Sequence, residues 1–212
     1  MSRSSVFGWA FGVGLVASLG AALPACSASA ADEDVVYDDG EGTAESIDPL
    51  AIAGRWKLPP SVAKIGATMF VTYDNGPSWN PKLCAGGLKS GAKKLGAFLE
   101  NKFGQISDVQ GYACRANTAD GSKMSIHGTG RALDIFIPKS GGAADNTKGD
   151  EVANYLVTHA EELQVQYIIW DRTQWRANGT NDRVYTGPVP HTDHLHVEIT
   201  NEAATLKSPW YQ

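Results

Sequence analysis

Ser125-Ile126-His127-Gly128-Thr129-Gly130-Arg131-Ala132-Leu133-Asp134-Ile135-Phe136-Ile137 runs up to Pro138, and this stretch decides how the chain is read. From Leu133 to Ile137 it is apolar, rich in β-branched residues and halted by a proline, the pattern of a strand. Side chains two apart on a strand share a face. Asp134 therefore points with Ala132 and Phe136, while Leu133, Ile135 and Ile137 turn to the opposite, core-facing side. A carboxylate that is covered by other structure needs a partner. His127 offers itself from seven residues upstream, because Gly128 and Gly130 permit a bend tight enough to return its ring towards Asp134.

The complementary stretch is His191-Thr192-Asp193-His194-Leu195-His196. From His194 to Ile199 polar and apolar residues alternate, so His194 and His196 share one face and Leu195, Val197 and Ile199 the other. Two such strands side by side would bring imidazoles and a carboxylate together. Three nitrogen and oxygen ligands with an open fourth position describe a catalytic zinc site, with His127, Asp134 and His196 as the candidate ligands. Asp193, three residues before His196, has the chemistry to accept a proton from a metal-acidified water. His194 has the chemistry to hydrogen-bond a developing oxyanion or to act with that base. Glu198 lies on the histidine face, either supporting a ligand or solvated. His191 follows Gly187-Pro188-Val189-Pro190 and reads as a loop histidine outside the ligand set. His159 reads as a charge complement to a helix C-terminus. Ser125 reads as a loop-fixing hydroxyl rather than a nucleophile.

Outward from these two stretches, Leu88, Ala92, Leu95, Phe98 and Leu99 fall at helical spacing, which predicts a helix from Leu88 to Phe103 ended by Gly104. Asp108 to Cys114 reads as a strand, Asp150 to Leu163 as a second helix, and Gln166 to Trp170 as a further strand. Trp170 is expected in the core. Trp175, in the polar stretch 171–181, is a candidate to line a groove. Without a regular βα alternation, the expected fold class is α+β, a small antiparallel sheet with flanking helices.

The acidity of the chain sits outside this region. Residues 32–54 carry eight acidic side chains and no Lys or Arg, whereas the chain from Arg55 onward carries 17 basic and 15 acidic residues. A near-neutral domain does not point to nucleic acid as a partner. Residues 1–31 read as a signal peptide, with Arg3 before a mostly apolar run from Val6 to Leu23 and small residues after it. Cleavage near Ala28-Ser29-Ala30 would release a soluble protein. Leu23-Pro24-Ala25-Cys26 instead resembles a bacterial lipobox, with Cys26 as a lipid anchor. Residues 32–59 read as an acidic flexible linker and 60–212 as the folded domain. In an exported protein Cys84 and Cys114 are expected to form a disulfide.

Ser125-x-His127-x-x-Gly130-x-Ala132-x-Asp134 matches the first motif of the lysostaphin, D-Ala-D-Ala carboxypeptidase and Sonic hedgehog superfamily of zinc proteins. His194-Leu195-His196 resembles its second, His-x-His, and Gly111-Tyr112-Ala113-Cys114-Arg115 looks like its "GYR" segment. The resemblance spans about residues 84–200, and Tyr167-Ile168-Ile169-Trp170 brings it near the extensin-like secreted branch. It implies a hedgehog/D-Ala-D-Ala-peptidase-like fold and Zn2+ bound by His127, Asp134 and His196. It gives Arg115 a role in polarising the substrate carbonyl or stabilising the tetrahedral intermediate. Where the carboxypeptidase branch has Glu-x-x-His, this chain has Asp193-x-x-His196, leaving Asp193, His194 or both in relay as the proton-handling group. The expected protein is a monomeric, exported zinc peptidase, periplasmic, outer-membrane-anchored or extracellular, acting on peptidoglycan stem peptides. The alternative is a non-catalytic zinc-containing binding module.

Overall fold

The computed structural model describes residues 55–212. The expected signal peptide 1–31, Cys26 and the expected linker up to residue 54 lie outside the described residues. In chain order the elements are α1 (Pro60–Gly66), α2 (Ser90–Lys102), β1 (Asp108–Gln110), β2 (Ala132–Phe136), α3 (Asn146–Thr158), α4 (Ala160–Leu163), β3 (Val165–Trp170), β4 (Thr173–Arg176), β5 (Arg183–Val184), β6 (His194–Ile199) and α5 (Asn201–Ala204). The strands form one open, entirely antiparallel sheet in the order β1-β2-β6-β3-β4-β5. The fold is α+β, with the strand from the C-terminal end of the chain, β6, seated at the centre between β2 and β3.

Alternation along the strands sorts the two faces. Leu133, Ile135, Leu195, Val197, Ile168 and Trp170 enter one main core with Leu95 and Leu99 of α2 and Val152, Leu156 and Val157 of α3. Each such aliphatic side chain contributes roughly 1.5–3 kcal/mol when withdrawn from water. The helices therefore cover one face of the sheet and leave the other to loops and polar side chains. Trp175 belongs to the covered face and is 1% exposed, so it packs chiefly in the core with Leu58 and Val157, bordering only the small cavity of the β4–β5 hairpin. Trp56 is fully buried as well, its indole N–H donating to Asn154 Oδ1 at 3.1 Å. Residues 55–59, which composition assigns to the linker, are thus part of the folded body.

Local chemistry explains the remaining differences from the sequence expectation. The second helix starts earlier, at Asn146, because the Asp145 side chain accepts from the Lys148 N–H as its N-cap. It breaks at His159, where the Thr158 hydroxyl and His159 Nδ1 both donate to the Tyr155 carbonyl. Those side-chain bonds add to the helical His159 N–H on the same carbonyl at 3.1 Å and mark the helix end, after which α4 follows as a separate short helix. β1 ends at Gln110 rather than Cys114, because Gly111 adopts φ 140° and lies so close to β2 that a Cβ would meet the Ala132 carbonyl oxygen at 2.3 Å. β3 contains a bulge at Gln166, so that Val165 pairs with Ile199 while Tyr167 pairs with Glu198. The extra residue puts Val165 and Tyr167 on opposite faces.

Candidate metal centre

β2 and β6 are neighbours in a register that sets Asp134 directly opposite His196 and Phe136 opposite His194. His127 reaches the same place from the loop before β2. That loop is built by its own backbone, with the Gly128 N–H bonding to the Ser125 carbonyl at 2.9 Å and the His127 N–H to Ser125 Oγ at 3.3 Å. Ser125 thus has the loop-fixing role its position suggested. Gly130 closes the bend at φ 73°, close enough to the neighbouring 84–89 loop that a Cβ would meet the Gly87 carbonyl at 2.4 Å.

The result is a triangle of donor atoms. His127, Asp134 and His196 each offer one ligand atom, all within 4.8 Å of one another. Asp134 Oδ1 is 3.6 Å from His127 Nε2 and 3.5 Å from His196 Nδ1. A tetrahedral ion with bonds of about 2.0 Å needs neighbouring ligand atoms roughly 3.3 Å apart. The three side chains accordingly fit a metal ion.

Hydrogen bonding behind the triangle fixes the protons. His127 Nδ1 bonds to the Gly111 carbonyl, and since a carbonyl only accepts, Nδ1 carries the hydrogen and Nε2 turns its lone pair inward. His196 Nε2 lies 3.2 Å from Glu198 Oε1. Burial opposes ionisation of Glu198, yet the hydrogen bond and charge of His196, with bonds from Gln166 and Tyr73, hold its carboxyl below the usual range. Glu198 is therefore an acceptor, His196 donates to it from Nε2, and Nδ1 faces Asp134. His194 is arranged alike, with Nδ1 2.9 Å from Asp193 Oδ1 and Nε2 4.0 Å from Asp134 Oδ1. Such carbonyl and carboxylate partners select the ligating tautomer and raise imidazole basicity.

Asp193 stands behind His194 rather than beside the triangle. Its side chain is half exposed and also 3.6 Å from Lys139 Nζ. Slight burial works against its charge, but the His194 hydrogen bond, then the charges of His194 and Lys139, bring its pKa below the ordinary value. Arg115 is held near the site by its backbone, its carbonyl accepting from the Ser125 N–H at 3.1 Å. Cys84 and Cys114 form a disulfide that joins the 84–89 loop to the segment carrying Gly111 and Arg115. Closing a loop of this length stabilises by about 3–4 kcal/mol. Replacing both cysteines by serine is expected to lower unfolding stability by that amount, read from denaturant titration; an unchanged midpoint would contradict it.

Three further residues join the centre. His191, read as a loop histidine, is in a loop at φ 50° but fully buried, its ring edge-on to His194 with centroids 4.8 Å apart. Its spacing from His194 and His196 was the only signal in the sequence. Gln166, turned by the bulge, donates to Glu198 Oε2 at 2.9 Å. Arg131, 1% exposed, donates to the carbonyls of Ile199 and Asp74 at 2.8 and 2.9 Å, clamping the start of β2 to the end of β6.

A family model described as VldE, C-terminal domain, matches residues 84–196. The match covers more than half of the chain, from the first disulfide cysteine to the last triangle histidine. The chain belongs to the VldE C-terminal domain family. The part of this VldE-type domain that matches holds all three triangle residues, the disulfide, Arg115, Asp193 and His194. No curated protein and no solved structure matches the chain.

One consequence of this wiring is testable on its own. Glu198→Gln would remove the charge and set an amide NH2 group against one of its two donors, His196 or Gln166. Metal affinity is expected to fall about 10–100-fold, the usual effect of losing a partner behind a ligand. Competition with a chelating dye reads it, and undiminished affinity would show that Glu198 does not orient His196.

Proposed function

We propose that this domain is a zinc-dependent peptidase acting on peptidoglycan stem peptides, related to the lysostaphin and D-Ala-D-Ala carboxypeptidase superfamily. The observation that carries the reading is the convergence of three imidazole lone pairs, His127 Nε2, His196 Nδ1 and His194 Nε2, on Asp134. Three of these four groups make a ligand set and the fourth, His194, is left for proton transfer. The Ser125-to-Asp134 and His194-to-His196 motifs support the same assignment.

His127, Asp134 and His196 would hold the ion. Zinc in that position supplies Lewis acidity towards a carbonyl and acidifies a water. His194, facing the site through Nε2, takes a proton there and returns it to the leaving amine. Asp193 accepts from His194 Nδ1, keeping the ring oriented and stabilising its cation once the proton arrives. The geometry favours the relay among the alternatives left by the sequence, with His194 as the base and Asp193 behind it. Arg115 stabilises the developing oxyanion. Export to a compartment containing peptidoglycan is supported by the leader composition and by the disulfide.

Digestion of purified peptidoglycan by the zinc-loaded protein, followed by mass analysis of soluble fragments, tests the proposal. New peptide termini are expected in the wild type and absent in His194→Ala. Retention on peptidoglycan without any cleavage would replace the peptidase with the zinc-containing binding module.

A further inference from the structure

The loop that carries His127 is gripped from two sides. On one side the 84–89 loop donates to it, the Ala85 N–H to the Gly128 carbonyl and the Lys89 N–H to the Gly130 carbonyl, both at 2.9 Å. On the other side the 111–115 segment accepts from it, the Gly111 carbonyl from His127 Nδ1 and the Arg115 carbonyl from the Ser125 N–H. The Cys84–Cys114 disulfide joins these two jaws to each other. A hydrogen bond from the Gly86 N–H to the Tyr112 hydroxyl, at 3.1 Å, runs beside it.

The two jaws are anchored unequally. The first runs straight into α2, whose Ala92, Leu95 and Leu99 are fully buried in the main core. The second leaves β1, an edge strand of three residues, and its Tyr112 and Cys114 are exposed. β1 holds Gly111 from one end, through the pairing of Gln110 with Asp134. Past Cys114 the segment bonds to the approach of the His127 loop itself, by the Ala116–Met124 bridge and the Asn117 N–H to the Lys123 carbonyl. The disulfide is therefore the covalent tie that fixes the second jaw, and the partner it supplies to His127, against the first.

We propose that the Cys84–Cys114 bond is a redox control on the metal centre. Oxidised, it holds His127 in ligating position; reduced, it lets the jaws part and lowers affinity for the ion. The exchange takes a dithiol as reductant. A thiolate of the dithiol attacks the sulfur of exposed Cys114, and Cys84 departs as a thiolate and takes up a proton. The second thiol then displaces Cys114. Two electrons and two protons pass to the protein, and the dithiol closes to its own disulfide.

Such a coupling is reciprocal, as linkage between two equilibria requires. Whatever factor reduction takes from zinc affinity, bound zinc takes from the readiness of the disulfide to be reduced. Losing a partner behind a ligand costs about 10–100-fold in affinity, and a loosened partner falls at the lower end, about ten-fold. Ten-fold corresponds to about 30 mV in the reduction potential of this two-electron couple. The proposal rests on the zinc reading of the triangle and is independent of the peptidase chemistry.

Zinc affinity of the full protein, read by competition with a chelating dye before and after reduction with a phosphine, tests the coupling. The reduced protein is expected to stay folded by circular dichroism and to bind zinc about ten-fold more weakly. C84S/C114S should match it, which excludes the freed thiols as new ligands. In graded monothiol redox buffers, saturating zinc should make the disulfide harder to reduce by the same factor. That measurement uses the wild type and stands even if C84S/C114S does not fold. Equal zinc affinity in the oxidised and reduced forms would overturn the coupling. So would a reduction equilibrium insensitive to zinc, or loss of the whole fold on reduction, which would make the bond a general staple. Zinc bound tightly and equally in both redox states would strike the coupling alone, whereas no zinc binding in either state would strike the zinc reading with it.

Discussion

His127→Ala is expected to empty the centre of metal and to abolish peptidase activity together. The His127 ring is 2% exposed and presents Nε2 to Asp134 from 3.6 Å, its other nitrogen already committed to the Gly111 carbonyl. Alanine leaves two ligands, a cavity and an unanswered carbonyl. Losing a partner behind a ligand already costs about 10–100-fold in affinity, so losing the ligand itself costs more than that. Zinc content after dialysis reads the effect, with circular dichroism confirming that the variant remains folded. A folded His127→Ala protein holding a full equivalent of zinc would show that the ligand set is wrong.

His194→Ala should behave oppositely in one respect, keeping its metal while losing turnover. Its Nε2 faces Asp134 at 4.0 Å, but its other nitrogen is bound to Asp193, outside the triangle. Removing a positioned acid–base group typically lowers the rate about 10²–10⁴-fold, and the loss should fall on kcat. Asp193→Asn should lose less and alter the acid limb of the pH–rate profile, because the ring keeps its place but loses the charge that stabilises its protonated form. Metal content measured on the same samples separates this role from ligation. A His194→Ala protein without zinc would make His194 a ligand, and one with full turnover would remove it from the chemistry.

The triangle residues were legible because their signals are local. Asp134 and Leu133 differ in chemistry on adjacent positions of one strand, and alternation alone assigns them to opposite faces, as the core confirms. His194 to Ile199 yields to the same reasoning. The pairing of Asp134 with His196 joins residues 62 apart, and no spacing rule states that register. Gln166 and His191 were hidden for a related reason, since a bulge and a buried loop acquire meaning only when other strands are in place. Trp56 shows the limit of composition: an acidic tract up to residue 54 pulled the reading of its neighbours towards linker, although the indole fills a hole in the core. Trp175 erred in the opposite direction, its polar neighbours masking a side chain that alternation in β4 sends to the covered face.

The most direct measurement is anomalous X-ray scattering at the zinc edge from crystals of the zinc-loaded protein. One strong peak is expected inside the triangle of His127 Nε2, Asp134 Oδ1 and His196 Nδ1, with His194 beside it and unbound. A peak at any other set of side chains, or none in protein saturated with zinc, would contradict the account.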